Sequence, residues 1–175
     1  MPTESLSKYF VLLETNRGNM YAELWPEVAP KHVRNYLDLC YTDFYDGVLF
    51  HRVGPGFMIQ GGDPKTKDES KRGEWGTGSG PRMVNAEFNA KKHVRGVLSM
   101  ARGSDVNSAS CQFFVMHAAY PSLDGKYTGF GMLLDGFETL DKIVTAPGEA
   151  LDPQASTFRP TAPQRIEHAI VLVAP

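Results

Sequence analysis

The sequence predicts a mainly β fold, in which an antiparallel sheet closes into a barrel and two helices cover its open ends. Three observations support this. Short strand-like runs recur along the chain, loops rich in Gly, Pro, Ser and Asn separate them, and only two segments have helical periodicity. The 175 residues suffice for one buried core, and no repeat or linker divides them. We therefore expect a single domain over residues 1–175.

The first predicted elements are two strands and a helix. Strand-like runs cover Tyr9–Glu14 and Asn19–Leu24, and the Asn-Arg-Gly between them suits a tight hairpin turn. The segment APKHVRNYLDLCYTDFYDG follows, with Pro30 suited to a first helical turn and Gly47 as a stop. Its apolar residues recur at helical spacing: Val33, Leu37, Cys40 or Tyr41, and Phe44. This periodicity predicts an amphipathic helix.

Five further strand-like runs follow, separated by glycine- and proline-rich loops. They are Val48–Val53, Phe57–Gln60, Val97–Ala101, Gln112–Met116 and Thr128–Leu133. The segment GFETLDKIV predicts a second helix, because Phe137, Leu140 and Val144 share one face and a proline lies beyond its end. A proline-rich loop from Ala146 to Gln164 then leads to a final predicted strand, Ile166–Val173.

Charge and composition narrow the range of partners and compartments. Lys plus Arg number 18 and Asp plus Glu number 20, so the net charge of −2 gives no footprint for nucleic acid or an anionic membrane. The N-terminus MPTESLSKYFVLLE lacks a basic region, and no apolar run is long enough to span a bilayer. The two cysteines, Cys40 and Cys111, are too few for a disulfide scaffold. They could form a single disulfide, although a reducing compartment is favoured. We expect a cytoplasmic protein.

Common catalytic and metal-binding motifs are absent from the sequence. There is no G-x-S-x-G, no Cys-His signature and no Rossmann glycine pattern. The glycine-dense segment KRGEWGTGSGPR lacks the ending of a phosphate-binding loop and is interpreted as a mobile surface loop. The histidines show no metal-ligand spacing: His32, His51, His93, His117 and His168. The sequence therefore predicts no metal and no cofactor.

Two of the predicted strands, Phe57–Gln60 and Gln112–Met116, share an unusual pattern. Alternation gives each strand one wholly apolar face, which carries Phe57, Ile59, Phe113 and Val115. The other face combines glutamines with large apolar groups: Met58, Gln60, Gln112, Phe114 and Met116. An unpaired buried amide costs about 1–3 kcal/mol, so this face is either a ligand groove or a second small core with hydrogen-bonded glutamines. The pattern alone leaves both open.

Four motifs together carry a family resemblance. FHRVGPGFMIQGGD, GVLSMAR, SASCQFFV and SLDGKYTGFG occur in this order, and the chain resembles the cyclophilins, which are peptidyl-prolyl cis-trans isomerases, over roughly Tyr9 to Val173. The resemblance implies an eight-stranded antiparallel barrel capped by two helices, and an isomerase that acts on X-Pro bonds and assists protein folding. The compact loops and Tyr127 are more similar to bacterial members than to the animal cytosolic form.

The resemblance also implies roles for individual residues. The catalytic set is Arg52, Phe57 and Gln60, with Gln60 orienting Arg52. The substrate-binding set is His51, Met58, Ala101, Arg102, Gln112, Phe114, Leu123 and Tyr127, although His51 considered by itself is interpreted as a structural ring. The proline pocket is implied to consist of Phe57, Met58, Phe114 and Leu123, with the backbone of Ala101-Arg102 pairing with the residue before the proline. Phe57 reaches this pocket only if its strand starts irregularly, which Gly56 permits.

Two departures from the animal pattern affect the expected ligands. Ser122 stands where many animal members place tryptophan, and Tyr127 where they place histidine. We expect proline-containing peptides and unfolded or partly folded proteins as partners, at most weak binding of cyclosporin, no nucleic acid, no membrane and a monomer. Two alternatives remain: a module that binds proline segments with little turnover, and an unrelated barrel with an interior ligand cavity.

Overall fold

A computed structural model describes residues 5–174 and shows a ten-stranded sheet with two α-helices. The strands, in chain order, are β1 Tyr9–Thr15, β2 Gly18–Leu24, β3 Arg52–Gly54, β4 Met58–Gly61, β5 Val97–Met100, β6 Phe113–Met116, β7 Gly129–Asp135, β8 Gly148–Ala150, β9 Phe158–Pro160 and β10 Ile166–Val173. The helices are α1 Pro30–Tyr41 and α2 Phe137–Val144. All neighbouring strands pair antiparallel, in the order β10-β1-β2-β7-β5-β6-β4-β3-β9-β8.

The chain just before β3 joins the two sides of the sheet. The Ile166 amide donates to the Val48 carbonyl (2.9 Å), and the Phe50 amide donates to the Gln164 carbonyl (2.8 Å). The predicted strand Val48–Val53 is therefore bent, since its first half bonds to the start of β10 and its second half enters β3. This contact closes a ring of eight strands, β1–β7 and β10, the number that the family resemblance implies. Strands β8 and β9 form a hairpin beyond β3, inside the segment expected to be a loop.

Helix α1 is shorter than predicted and is capped in a way the sequence did not indicate. It ends at Tyr41, and turns that include Asp43 at a φ of 56° follow it. At its start, the Glu87 carboxylate accepts hydrogen bonds from the amides of Lys31 and His32, each 3.0 Å long. A carboxylate at this position satisfies free helix amides and complements the positive end of the helix dipole.

The main core lies inside the barrel and is rich in aromatic rings. Tyr36 of α1 packs against Tyr45 and Phe113, with ring centroids 5.3 and 5.1 Å apart. Ile59, Phe113 and Val115 are fully buried in this core, as the strand alternation predicts. The apolar faces of β4 and β6 therefore point inward, and their glutamine-bearing faces point out of the barrel.

A second apolar cluster lies on the outer side of β4, β5 and β6. We call it the floor cluster; its buried members are Trp25, Met58, Val97, Phe114 and Met116. Phe57, Leu123 and Tyr127 pack against it from above and are only partly buried. The two alternatives left open by the pattern are thus both realised, because a small second core forms the base of an open groove.

The glycine-dense loop is anchored by a buried carboxylate, contrary to the expected mobile loop. Asp63 is fully buried, and its Oδ2 accepts from the amides of Gly76 (2.6 Å) and Gly78 (3.1 Å). A Cβ built on Gly78 would clash with the Asp63 carboxylate, so the loop needs glycine at this position. These contacts fix the backbone of the loop beside β4 and β6.

Residues 5–174 contain neither a membrane-spanning helix, nor a disulfide, nor a cluster of metal ligands. No helix in this range is long and apolar enough to cross a membrane. Cys40 and Cys111 are both free thiols in the core, and burial raises the pKa of the Cys111 thiol to about 12. Within the same range, no three His, Cys, Asp or Glu side chains are grouped so as to hold a metal ion.

Candidate active site

The floor cluster carries a pocket of about 140 Å³ on the outer face of the barrel. Nine residues line it, and all nine belong to the predicted site: Arg52, Phe57, Met58, Gln60, Ala101, Arg102, Phe114, Leu123 and Tyr127. The pocket is contributed by β3, β4, the end of β5, β6 and the segment 123–127. Residues from five separate stretches of sequence therefore meet at one place.

The base of the pocket is apolar and its shape depends on an irregular strand start. Met58 and Phe114 are 1% and 5% exposed. Phe57 precedes β4 in a turn, where Gly56 has a φ of 74° and the Phe57 amide donates to the Gly54 carbonyl (2.8 Å). This turn places the Phe57 ring on the groove side of the sheet, although alternation alone assigns it to the core face.

Arg52 is held by a chain of amide side chains. Arg52 Nη1 donates to Gln60 Oε1 (3.1 Å), and Gln60 Nε2 donates to Gln112 Oε1 (3.1 Å). Gln112 Nε2 in turn donates to the carbonyls of Gly76 and Gly78, both at 2.9 Å. Arg52 and Gln60 lie directly opposite each other on β3 and β4, so the register of the two strands brings them together. We call this chain the amide relay.

The relay leaves most of the Arg52 guanidinium available to a ligand. Among the described residues, Arg52 makes one side-chain hydrogen bond, to Gln60, and no ion pair. A guanidinium has five N–H donors and keeps its charge at any physiological pH. A half-buried cation with free donors therefore faces an apolar pocket, an arrangement that suits recognition of a carbonyl oxygen or an amide nitrogen beside an apolar ring.

Gln112 and His51 are the two predicted site residues that do not line this pocket. Gln112 lines an adjoining pocket of about 310 Å³, which shares Gln60, Ala101 and Arg102 with the first. His51 is only 4% exposed, and its burial lowers its pKa to about 4, so the ring is neutral at pH 7. The structure thus places His51 behind Arg52, as a structural ring would be.

The upper wall of the pocket contains features that the sequence did not reveal. The Phe57 ring packs on Tyr120 with centroids 4.5 Å apart, and Tyr120 was not a predicted site residue. The Arg102 guanidinium lies 4.5 Å from the Tyr127 ring and donates to the Lys126 carbonyl (2.7 Å). Cation–π contact of this kind fixes Tyr127, the residue that replaces the histidine of animal members.

A Ser-His-Asp chain lies beneath the pocket. His93 Nε2 is 2.8 Å from Ser99 Oγ, and His93 Nδ1 is 3.1 Å from Asp124 Oδ1. Ser99 is fully buried and His93 is 2% exposed, so the serine cannot reach a substrate. Burial lowers the pKa of His93, whose ring stacks on Phe114 at 6.2 Å. This chain therefore braces the pocket floor against the segment 121–124 and is not a hydrolytic triad.

Comparison with known proteins identifies the family. Residues 10–171 match the family "Cyclophilin type peptidyl-prolyl cis-trans isomerase/CLD". A peptidyl-prolyl cis-trans isomerase of Arabidopsis thaliana is 42% identical over 144 residues, covering 79% of this chain and 86% of its own length. Peptidyl-prolyl cis-trans isomerase 10 of Caenorhabditis elegans is 39% identical over 168 residues, covering 94% and 96%. The chain belongs to the cyclophilin-type peptidyl-prolyl cis-trans isomerases.

A solved structure supports the same assignment. A cyclophilin-type peptidyl-prolyl cis-trans isomerase of Cryptosporidium parvum has a TM-score of 0.82 and 32% identity, covering 95% of this chain and 98% of its own. The relatives named here come from a plant, a nematode and Cryptosporidium, and they give no support to the expected likeness to bacterial members.

Proposed function

We propose that this pocket receives the proline ring of an X-Pro segment and that Arg52 catalyses rotation about the bond before it. The observation that carries this proposal is the amide relay, which aims a free guanidinium at an apolar pocket of about 140 Å³. A structure of the Cryptosporidium parvum relative was determined in the presence of the dipeptide Ala-Pro, which supports a proline peptide as ligand.

The proposed mechanism follows from the electronic structure of the peptide bond. Rotation is opposed by a barrier of about 18–20 kcal/mol, which arises from the double-bond character of C–N. In the twisted state the nitrogen becomes pyramidal and gains a lone pair. Arg52 can donate to this nitrogen, or hold the neighbouring carbonyl, more strongly in the twisted state than in either planar state. Only an interaction that strengthens in the transition state accelerates the reaction.

The remaining site residues receive complementary roles. The floor of Met58 and Phe114 would hold the proline ring while the preceding carbonyl swings. The Ala101 amide already donates to the Gln112 carbonyl (3.0 Å), so Ala101 would offer its own carbonyl to the residue before the proline. Gln60 and Gln112 would bind the substrate backbone and hold Arg52 in place.

The physiological partners proposed are proline-containing segments of unfolded or partly folded proteins. We further propose that this protein assists folding as a monomer in the cytoplasm, and its net charge of −2 gives no footprint for nucleic acid or an anionic membrane. A module that binds proline segments with little turnover is the competing function. The intact relay favours the enzyme, because a binding site needs an apolar pocket but does not need an oriented cation beside it.

Exchange NMR on an Ala-Pro peptide tests the proposal. The wild type should catalyse cis-trans exchange at substoichiometric concentration. Arg52→Ala should lower kcat/KM by about 100-fold, as loss of one transition-state donor typically does, while peptide binding changes much less. Arg52→Lys should recover little, because an ammonium does not reproduce the planar fork.

Arg34→Ala is the matched control, since Arg34 is a surface arginine paired with Asp38 on α1 (3.1 Å). This variant should keep wild-type exchange. Tight peptide binding by the wild type without catalysed exchange would instead establish the binding module. Near-normal exchange in a folded Arg52→Ala variant would remove Arg52 from the mechanism.

A further inference from the structure

A separate cleft of about 450 Å³ adjoins the pocket and shares only Arg52 and Gln60 with it. Its far wall is formed by the β8–β9 hairpin loop, including Leu151, and by Arg159 in the middle of β9. Trp75 closes the third side. The β8–β9 hairpin, which lies in a segment predicted to be a loop, therefore extends the groove beyond Arg52.

Two arginines, Arg52 and Arg159, lie on neighbouring paired strands that line this cleft. Val53 of β3 pairs with Phe158 of β9 in an antiparallel register, so Arg52 and Arg159 occupy the next opposed positions. Directly opposed residues of an antiparallel pair project on the same side of the sheet, and both arginines line the cleft. Like charges opposed in this way repel each other and destabilise the pair unless an anion lies between them.

Nearby carboxylates do not neutralise this pair. Among the described residues, neither Arg52 nor Arg159 makes an ion pair. Arg159 donates to the Arg72 carbonyl (3.2 Å), its guanidinium lies 5.6 Å from the Trp75 ring, and its Nε is buried without a hydrogen-bond partner. Glu149, opposite Arg159 on β8, reaches Arg72 instead, at 3.7 Å.

The one carboxylate that lines the cleft is fully occupied. The Asp152 oxygens accept from the amide and hydroxyl of both Ser156 and Thr157, at 2.8–3.0 Å. These hydrogen bonds hold the pKa of Asp152 well below its ordinary range and shape the loop. They hold Asp152 in its own turn, where it makes no ion pair among the described residues. Two guanidinium groups and one carboxylate therefore leave the cleft with an excess of positive charge.

We propose that this cleft binds an acidic side chain of the substrate, on the C-terminal side of the isomerised proline. The inference rests on the proposed function of the adjoining pocket. The cleft is assigned to the C-terminal side of the proline because Ala101 and Arg102 are assigned to the residue before the proline. These two residues line the other two pockets and not this cleft. A chain that leaves the proline past Arg52 enters the cleft, where a carboxylate would separate the two like charges and gain charge-assisted hydrogen bonds.

Matched peptides test the proposal on the wild-type protein. Exchange NMR would compare peptides that carry Glu or Gln at the first or second position after an Ala-Pro unit, and peptides with the same change before it. We expect kcat/KM to favour Glu by about three- to tenfold after the proline, as expected for a partly exposed ion pair, and not before it. The preference should shrink with added salt, because screening lengths fall to about 8 Å at physiological ionic strength.

Variants then assign the preference to the cleft. Arg159→Gln should abolish the ratio between the Glu and Gln peptides, and Arg159→Lys should retain part of it. Arg34→Gln is the control, since Arg34 is a surface arginine paired with Asp38 on α1 and does not line the cleft, and it should keep the ratio. A wild-type ratio near one, with good turnover of the Gln peptide, would overturn this inference alone. Failure to isomerise either peptide would instead count against the proposed function.

Discussion

At the scale of single residues, two adjacent phenylalanines have opposite environments. Phe113 is fully buried in the barrel core, with the rings of Tyr36, Tyr45 and Phe50 at 5.1–6.2 Å. Phe114 is 5% exposed and lies on the other side of the sheet, under the pocket. Successive side chains of a strand point to opposite faces, so Phe113 packs in the core and Phe114 lines the pocket.

This contrast predicts opposite effects of two alanine substitutions. Phe113→Ala should lower the free energy of unfolding by about 3–5 kcal/mol, because it leaves a cavity in a packed core. Phe114→Ala should cost less stability, since its space opens into a groove that water can fill, but should strongly lower kcat/KM by removing the floor for proline. Urea melts and exchange NMR on both variants measure this pair of effects. If Phe114→Ala proves the more destabilising, the floor cluster is primarily a core and not a binding surface.

At the scale of elements, the glycine-dense loop positions the amide relay. The buried Asp63 carboxylate binds the amides of Gly76 and Gly78, and the carbonyls of the same glycines accept from Gln112. Gln112 then holds Gln60, which holds Arg52. Asp63, which has no exposed surface, is thus linked to the Arg52 guanidinium through four further residues.

We predict that Asp63→Asn lowers kcat/KM by about tenfold in a protein that remains folded. An amide presents one acceptor oxygen and adds an N–H group, so it cannot satisfy the loop amides as a carboxylate does, and a buried unsatisfied donor costs about 1–3 kcal/mol. The loop, and with it the relay, should lose its fixed geometry. Exchange NMR measures the activity, and the NMR signal of Arg52 Nε reports whether the guanidinium is still held.

Asp68→Asn is the control for this prediction. Asp68 caps the 3₁₀ turn Glu69–Glu74 by accepting from the Ser70 amide (2.9 Å), just as Asp63 caps the turn Pro64–Lys67 by accepting from the Lys65 amide (2.8 Å). Asp68 has no link to the relay. Its substitution should leave turnover and the Arg52 signal unchanged. Equal losses in both variants would mean that Asp63 acts through general stability only.

The elements also show what the sequence could and could not predict. Strands with local alternation, such as β1, β2 and β10, and helix α2 were predicted close to their observed positions, because periodicity is a local signal. The start of α1 was predicted as well, but the helix ends earlier than expected, at Tyr41. The bend at His51, the β8–β9 hairpin and the contacts of Asp63 depend on pairing between distant segments. The roles in the pocket came from the family resemblance, and Tyr120 was missed because its contact with Phe57 crosses more than sixty residues.

Ser122, on the short 3₁₀ turn Pro121–Leu123, leads us to predict weak binding of cyclosporin. Ser122 is exposed on this turn beside Leu123, which lines the pocket. A serine supplies neither an indole N–H nor a broad apolar wall. Ser122→Trp should therefore tighten cyclosporin binding by about tenfold or more. The gain would come from one hydrogen bond, worth about 0.5–1.5 kcal/mol, and from apolar contact at about 25 cal/mol per Å².

Calorimetric titration of the wild type, Ser122→Trp and Ser122→Ala tests this, with exchange NMR as a second measurement. The alanine variant should bind cyclosporin as the wild type does, and turnover should change little in all three. Tight binding by the wild type, or no gain from tryptophan, would show that other residues set the affinity.

At the scale of the whole molecule, the segment that closes the barrel also forms part of the candidate site. The bend between Phe50 and Arg52 lets one stretch of chain bond to β10 on one side and to β4 on the other. His51 occupies this bend with its ring buried. The segment that closes the barrel therefore also carries Arg52, the proposed catalytic residue, so loss of closure would displace it.

Burial of His51 makes the stability of the whole barrel depend on pH. Its pKa falls from an ordinary value of 6.5 to about 4 on folding, first because of desolvation. The unfolded chain therefore binds more protons than the folded one between these values, and the free energy of unfolding must fall as pH falls through this range. Burial also lowers the pKa of His32 and His93, which adds to the same trend.

We predict that His51 alone removes about 2 kcal/mol of stability between pH 7 and pH 5. Asp124 and Asp141 have pKa values below their ordinary 3.8, so they lose their stabilising contribution mainly at lower pH and do not obscure this window. Urea melts at pH 7 and pH 5 should show a smaller difference in His51→Gln than in the wild type. His168→Gln is the control, because hydrogen bonding to Asp46 raises the pKa of that exposed ring, and its removal should not reduce the loss of stability on acidification. If His51→Gln loses as much stability between pH 7 and pH 5 as the wild type does, the buried ring at the barrel closure does not control the acid stability of the fold.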